Sequence, residues 1–390
     1  MSFNNVATPD LLYYDIQIAN LENQNSAPPV LTFIETRNNP FIYDTDQYQM
    51  SVIRFVLDTP NLPVFIPTIQ PAPNADIDLT IYSVSLQWTN PANPSQVFTQ
   101  QTYIRYIPQS LVAQVPPPPS ITENGLQYNL GQYYYIYNYQ YFVFLINNAF
   151  ISCFNALNAQ VVGASLVLPT SHPPVMSFDT MTNTAIINCD LLGYNTANPS
   201  GQIGIFFNTP LSVLFSSFPV KLLSIVSNLG LNAQIITNSF QLSNVIQYPP
   251  FAPVYSAIQV FQEFSTITMW CPVSSIVFTS QTLPLVSNQI STPVIYNQGS
   301  TLGSNGNNSL ITQTITDFVA NDAQYKPQLV YVPQAEYRML ELMSNRPLNT
   351  VDISVFWKDK TGALIPFYLA SGATATIKIL FRKKPQFLKK

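Results

Sequence analysis

The stretch Phe142–Leu157, FVFLINNAFISCFNAL, decides how the rest of the 390-residue chain is read. Its apolar side chains fall at Phe142, Leu145, Ile146, Ala149, Phe150, Cys153, Phe154 and Leu157, with Asn147, Asn148, Ser152 and Asn155 opposite. That i, i+3, i+4, i+7 spacing gathers one face of an α-helix, and it predicts Phe150, Phe154 and Leu157 buried beneath it. Upstream, the aromatic run Tyr133–Tyr139 has β propensity and predicts a strand feeding the helix. A weaker copy of this order stands near the C-terminus, with Gln328–Val332 as strand, Pro333–Met343 as short helix and Val351–Trp357 as strand. Two strand–helix–strand units in two halves of a β-rich chain predict an all-β protein of two domains.

Period-2 patterns predict further strands at Leu12–Ile18, Leu31–Glu35, Asp78–Trp88, Val97–Ile107, Ala185–Cys189, Ile203–Asn208, Ala233–Leu242, Ser256–Met269, Ser275–Ser280, Leu310–Phe318, Ile365–Leu369 and Ala373–Phe381. Tyr48–Leu57 alternates Met50, Val52, Arg54 and Val56 against Ser51, Ile53, Phe55 and Leu57. Bulk on both faces predicts burial on both sides, with Arg54 requiring a carboxylate or carbonyl partner. Pro210–Phe218 reads equally as short helix or strand, Pro116–Pro119 as an exposed polyproline loop and Gly299–Asn308 as a surface tip. Strands at this spacing with Pro-rich turns predict two β-sandwich or jelly-roll domains, each with a short helix between late strands. Periodicity fades at Ser224–Asn232, which sets the expected domains at 11–229 and 230–384 and a basic tail at 385–390.

Only 9% of the residues are charged, against 33 Pro, 25 Phe and 22 Tyr. An uncharged, aromatic-rich surface is what a subunit inside an assembly needs, because interface centres favour aromatics and exclude charge. Cys153, Cys189 and Cys271 show no CxxC spacing and read as buried free thiols. There is no basic-then-apolar leader at the start, and no run of about 18 apolar residues that would span a bilayer. The charge is uneven: residues 1–325 hold 4 basic and 15 acidic side chains, and residues 326–390 hold 11 basic and 4 acidic.

Catalytic chemistry has no footing in the motifs. The single histidine, His172, precedes Pro173-Pro174 with no nucleophile context, and no Walker A, GxGxxG or HExxH sequence occurs. The close acidic pairs Asp44/Asp46 and Asp76/Asp78 lack calcium-loop spacing and read as turn and capping residues. Tyr133, Tyr135, Tyr137 and Tyr139 could stack on sugars, although packing is the commoner use. The expectation is no enzyme, no cofactor and no metal.

Met50–Phe55 (MSVIRF) with Leu62–Pro67 (LPVFIP), and the ending from Trp357-Lys358-Asp359 through Ser371-Gly372-Ala373 to Lys378–Lys384 (KILFRKK), carry a resemblance. They are similar to capsid proteins of Polinton-like viruses, virophages and adintovirus-type elements, in the double jelly-roll lineage of tectiviruses and adenoviruses. The resemblance implies a major capsid protein in the virion shell, assembled inside the host cell as a homotrimer of pseudo-hexagonal outline. Its partners would be neighbouring capsomers, penton and minor capsid proteins, and both termini would lie on the inner side. There Arg382, Lys383, Lys384, Lys389 and Lys390 would contact genome phosphates or the headgroups of an internal membrane. Two alternatives stay open. One is the penton protein of the same lineage, a single jelly roll with a large insertion that forms pentamers; the other is a jelly-roll lectin-like or receptor-binding module.

Overall fold

The computed structural model describes residues 9–20, 31–70, 76–109, 132–196, 201–224, 228–237, 245–248, 255–286, 296–298, 301–303, 314–319, 328–332, 338–360 and 362–385. The chain opens with β1 (Leu11–Ala19), β2 (Thr32–Thr36) and β3 (Tyr48–Asp58). After Leu62 it builds a separate compact unit that contains β4 (Leu79–Thr89), β5 (Val97–Arg105), α1 (Tyr139–Gly163), β6 (Val175–Asp179), β7 (Thr184–Asp190), α2 (Leu191–Tyr194), β8 (Ile203–Phe207), α3 (Thr209–Leu214), β9 (Val220–Leu222), β10 (Ala233–Ile235), β11 (Val245–Tyr248), β12 (Tyr255–Phe261) and α4 (Ile267–Trp270). From Pro272 it returns to the first unit with β13 (Val273–Thr279), β14 (Tyr296–Gln298), β15 (Thr301–Gly303), β16 (Thr314–Phe318), β17 (Gln328–Tyr331), β18 (Leu340–Glu341), β19 (Thr350–Asp359), β20 (Leu364–Pro366) and β21 (Thr374–Lys383).

The units thus differ from the expected split at 229/230. Unit 1 joins residues 1–62 to 272–390, and unit 2 is 63–271, apart from 111–113, which group with unit 1 and lie outside the described residues. Ser224–Asn232 falls inside unit 2, between β9 and β10, where Leu222 stands opposite Ala233 in an antiparallel pair; 225–227 lie outside the described residues. Its periodicity fades because it turns the chain, not because it links domains. Gly230 sits there at φ 66°, and a Cβ at this position would come within 2.6 Å of the Gln101 amide.

Unit 1 is built from two five-stranded antiparallel sheets, β1-β21-β3-β17 with β18 also on β3, and β16-β13-β19-β2 with β20 also on β19. Their inner faces meet through aromatics: the Phe55 ring lies 5.2 Å from Phe278 and 4.5 Å from Phe318. β21 shows the cause plainly, with Ala375, Ile377, Ile379 and Phe381 buried at alternate positions. Where the edge strands β1 and β2 come together, the Tyr14 hydroxyl donates to Glu35, whose other oxygen accepts from Arg37 Nε at 3.1 Å. Burial, with help from this bond to Glu35, pushes the Tyr14 hydroxyl up to about 12.

β3 departs from its expected alternation, and a β-bulge is the reason. Lys378 of β21 pairs with Arg54 and Ile379 pairs with Val52, so Ile53 has no residue opposite. The phase flips there, placing Met50, Val52, Phe55 and Leu57 in the core and turning Arg54 outward to Asp15 at 3.8 Å. Arg54 is half exposed, so it needs no buried partner. Deleting Ile53 should leave a strictly alternating MSVRFVL strand that still pairs with β21, at a cost under about 2 kcal/mol. Deleting Ile377 instead would turn Ile379 and Phe381 outward and should abolish folding; circular dichroism of the two deletions compares them.

Unit 2 contains the sheets β5-β4-β8-β10-β9 and β11-β12-β7-β6, with α1 packed on β4, β5 and β6. α1 is longer than predicted, and its stripe from Phe142 to Val161 is buried. By length and composition it could cross a bilayer, but half of its most apolar stretch is buried inside the unit, as in a core helix. Tyr133–Tyr139 is not a strand: Gln132–Tyr134 makes a 3-10 turn, and Asn138 caps α1 by accepting from Tyr141 N at 2.7 Å. Asn147, predicted on the polar face, closes the edge of β6, donating to Met176 O at 2.8 Å and accepting from Met176 N at 2.7 Å.

The expected helix at Pro333–Met343 does not form where it is described. Leu340–Glu341 is strand, paired with Met50 and Gln49 of β3, and 333–337 lie outside the described residues. β10 ends at Ile235 and β12 at Phe261, ahead of the strand ends predicted there, and α4 follows β12. Pro210 takes a first-turn position behind the Asn208 cap, which settles Pro210–Phe218 in favour of the helix α3. Thr301–Gly303 pairs with Tyr296–Gln298 inside the expected surface tip. Pro116–Pro119 lies outside the described residues.

Candidate functional site

The basic end of unit 1 is the candidate site. β21 lies between β1 and β3, opposing Arg382 to Leu11 and Gln49, and backbone bonds from Lys383 N to Asp10 O (2.9 Å) and Lys384 N to Gln47 O (2.7 Å) fasten its end. A cleft of about 610 Å³ opens there, lined by Asp10, Leu11, Asp46, Gln47, Arg382, Lys383, Lys384 and Pro385. Lys383 Nζ reaches Asp10 at 3.3 Å, and Lys384 Nζ reaches Glu341 at 3.6 Å and the Leu342 carbonyl at 3.4 Å. Arg382 and Asp46 have no ion-pair partner among the described residues. The structure therefore brings Arg382, Lys383 and Lys384 together, as the sequence predicts. It also supplies carboxylates that sequence order could not place beside them; Lys389 and Lys390 lie outside the described residues.

Positive charge continues along the outer face of the sheet. Asp15, Lys378 and Arg54 form a row across β1, β21 and β3, with Lys378 Nζ 3.2 Å from Asp15 and 5.4 Å from the centre of the Tyr13 ring. Exposed pairs of this kind contribute little to stability, under about 1 kcal/mol each.

The other sequence candidates have structural partners. The His172 ring stacks on Tyr255 at 4.3 Å, and its carbonyl accepts from the Tyr194 hydroxyl at 3.0 Å. Asp76 and Asp78 both pair with Arg105, the latter at 3.4 Å, and Asp78 accepts from the Tyr133 hydroxyl at 2.8 Å. Tyr134 donates to Ile77 O at 2.7 Å, and burial pushes its hydroxyl up to about 12. The tyrosine run is thus packing: the Tyr133 and Tyr134 hydroxyls are tied to neighbouring oxygens, Tyr135 packs edge-on against Tyr137 at 6.2 Å, and Tyr139 lies 5.3 Å from Phe178 and 5.7 Å from Trp270. Burial likewise pushes the Cys153 thiol up to about 11, the opposite of what a reactive cysteine needs.

Antiparallel sheets packed in this way are those of jelly-roll proteins. A chain of the Sputnik virophage particle solved by cryo-EM is 27% identical, covers 96% of this chain and 98% of its own, and superposes with a TM-score of 0.77. The crystal structure of the mavirus penton protein shares the fold at a TM-score of 0.59 and 15% identity, over 96% of this chain and 100% of that one. The family model described as Sputnik minor capsid protein V18/19 matches residues 12–383, and the chain belongs to that family. Among its relatives, Sputnik virophage V18 is 32% identical over 160 residues, 41% of this chain and 92% of V18. The Sputnik virophage structural protein V19 is 28% identical over 209 residues, 53% of this chain and 84% of V19. The chain is a structural protein of a virion capsid.

Proposed function

We propose that the chain is the penton-type subunit, a minor capsid protein that closes the vertices of an icosahedral shell as a homopentamer among neighbouring capsomers. The observation that carries this reading is the strand order of unit 1. β1 pairs with β21 along its whole length, from Leu11 opposite Arg382 to Ala19 opposite Thr374, so the two ends of the chain close one sandwich and residues 63–271 are an insertion in it. A major capsid subunit with two consecutive rolls would divide once, near the middle. The family description and the fold shared with a penton protein support the same reading. The chain acts as a scaffold without catalysis, and its basic end faces the shell interior.

Native mass spectrometry of the purified 43.6 kDa chain, together with particle averages by electron microscopy, tests the proposal. Five-fold rings are expected. A three-fold assembly would return the chain to the trimeric major capsid reading, and a stable monomer at micromolar concentration would argue against both.

A further inference from the structure

We propose that the cleft at the end of β21 binds a phosphate of nucleic acid, with Arg382 as its anchor and Asp46 as a carboxylate that holds the affinity down. This deepens the reading of the basic end as inward-facing, yet it concerns binding by the free chain and can be measured without a shell.

The donors are in place. Arg382 is exposed in the cleft wall, without an ion-pair partner among the described residues, and a guanidinium matches two phosphate oxygens at once. Lys383 and Lys384 have side chains 35% and 28% exposed and are each engaged by a carboxylate, which leaves further N–H donors on both ammonium groups. The Gln47 amide completes the lining, and about 610 Å³ is ample for a phosphodiester group.

Shape favours a polynucleotide over a bilayer. The cations line a concavity, with Leu11 and Pro385 beside them, and a concave wall suits a phosphodiester chain better than a flat headgroup plane. A phosphodiester chain can enter it. Beyond the cleft, on the same outer face, Lys378 lies over the ring of Tyr13, a residue 54% exposed. Cations beside exposed aromatic side chains are what a single strand uses to seat phosphates and stack bases, and Lys378 is here shared between Asp15 and the Tyr13 ring.

The counter-charges set the strength. Because Asp10 and Glu341 partly neutralise Lys383 and Lys384, few counterions are released on binding. The slope of log affinity on log salt should be about −1 to −2, shallower than the roughly −3.5 that five free cations would give on a single strand.

The test is fluorescence anisotropy of the full chain with a short fluorescein-labelled oligothymidylate, between about 50 and 200 mM NaCl. Arg382→Gln should make the slope shallower by about 0.7 and weaken binding several-fold at low salt. Asp46→Asn should strengthen binding about fivefold, a gain that misfolding cannot produce. Lys221→Gln, in unit 2, should change neither. The proposal is overturned if the wild type does not bind, if Asp46→Asn binds no tighter, or if Arg382→Gln leaves the slope unchanged. It is equally overturned if phosphatidylcholine/phosphatidylserine vesicles bind the chain and the oligonucleotide does not. A trimeric mass with these binding results intact would sink the vertex reading and leave the cleft standing.

Discussion

Phe142→Ala is expected to remove about 3–5 kcal/mol of stability from unit 2, the largest loss from any single truncation in that core. The ring is fully buried and sits at the centre of an aromatic cluster: Phe65 at 4.5 Å, Trp270 at 5.4 Å, Tyr82 at 6.0 Å, and Phe215 stacked at 6.4 Å. These neighbours come from β4, α4 and the segments at Phe65 and Phe215, each held by its own backbone bonds, so none can shift far enough to fill the space. Phe142→Leu keeps most of the volume and should cost less than about 1.5 kcal/mol. Urea unfolding followed by tryptophan fluorescence compares them. Equal midpoints for the alanine variant and the wild type would mean that α1 is peripheral.

Asp352→Ala should cost unit 1 about 3–4 kcal/mol, through polar groups instead of packing. Asp352 points to the outer face of β19, where a strand residue is ordinarily solvated, yet it is 4% exposed because the turn at 280–283 lies over it. Its carboxylate accepts from the Ser280 and Thr282 hydroxyls and from the Gln281 and Thr282 backbone N–H groups, both at 2.8 Å. Removing the acceptor leaves these donors facing a methyl group. Burial alone would raise the Asp352 pKa, but the hydrogen bonds outweigh it and hold it below the ordinary aspartate value. A depressed folded value contributes stability that is complete above about pH 4 and fades as pH falls further. The gap between wild type and Asp352→Asn should therefore narrow on acidification below that pH. A gap that stays constant down to about pH 2 would show that the carboxylate charge has no part in holding the turn.

Local patterns carried the elements well because they are local. The stripe of α1 and the alternation of β21 each depend on neighbours within a few residues, and composition leaves them no other packing. The bulge at Ile53 escaped because strict period-2 reading cannot register an extra residue; the visible hint was a charged Arg54 placed in phase with Met50 and Val52. The Tyr133–Tyr139 run reads as strand on β propensity alone, although Asn138 stands ahead of the apolar stripe as a cap. Domain division was illegible for a different reason: the pairing of β1 with β21 spans most of the chain and leaves no periodic trace. At the candidate site, the cluster Arg382-Lys383-Lys384 was plain in the sequence, but Asp10, Asp46 and Glu341 reach it only through tertiary folding.

The interruption of unit 1 by unit 2 bears on the order of events during synthesis. The described strands of unit 2 have all been synthesised once residue 271 is made, whereas β1 must wait for β21 to be translated before its ladder exists. Until then β1 has no partner in its sheet and the β21 side of β3 is an open edge, exposed to wrong partners on neighbouring nascent chains. Because β21 is the middle strand of its sheet, a chain stopped before Thr374 would lack the partner that joins β1 to β3. Only chains translated through this strand can close the sandwich, so a copy ended before it lacks the pairing that shapes the subunit.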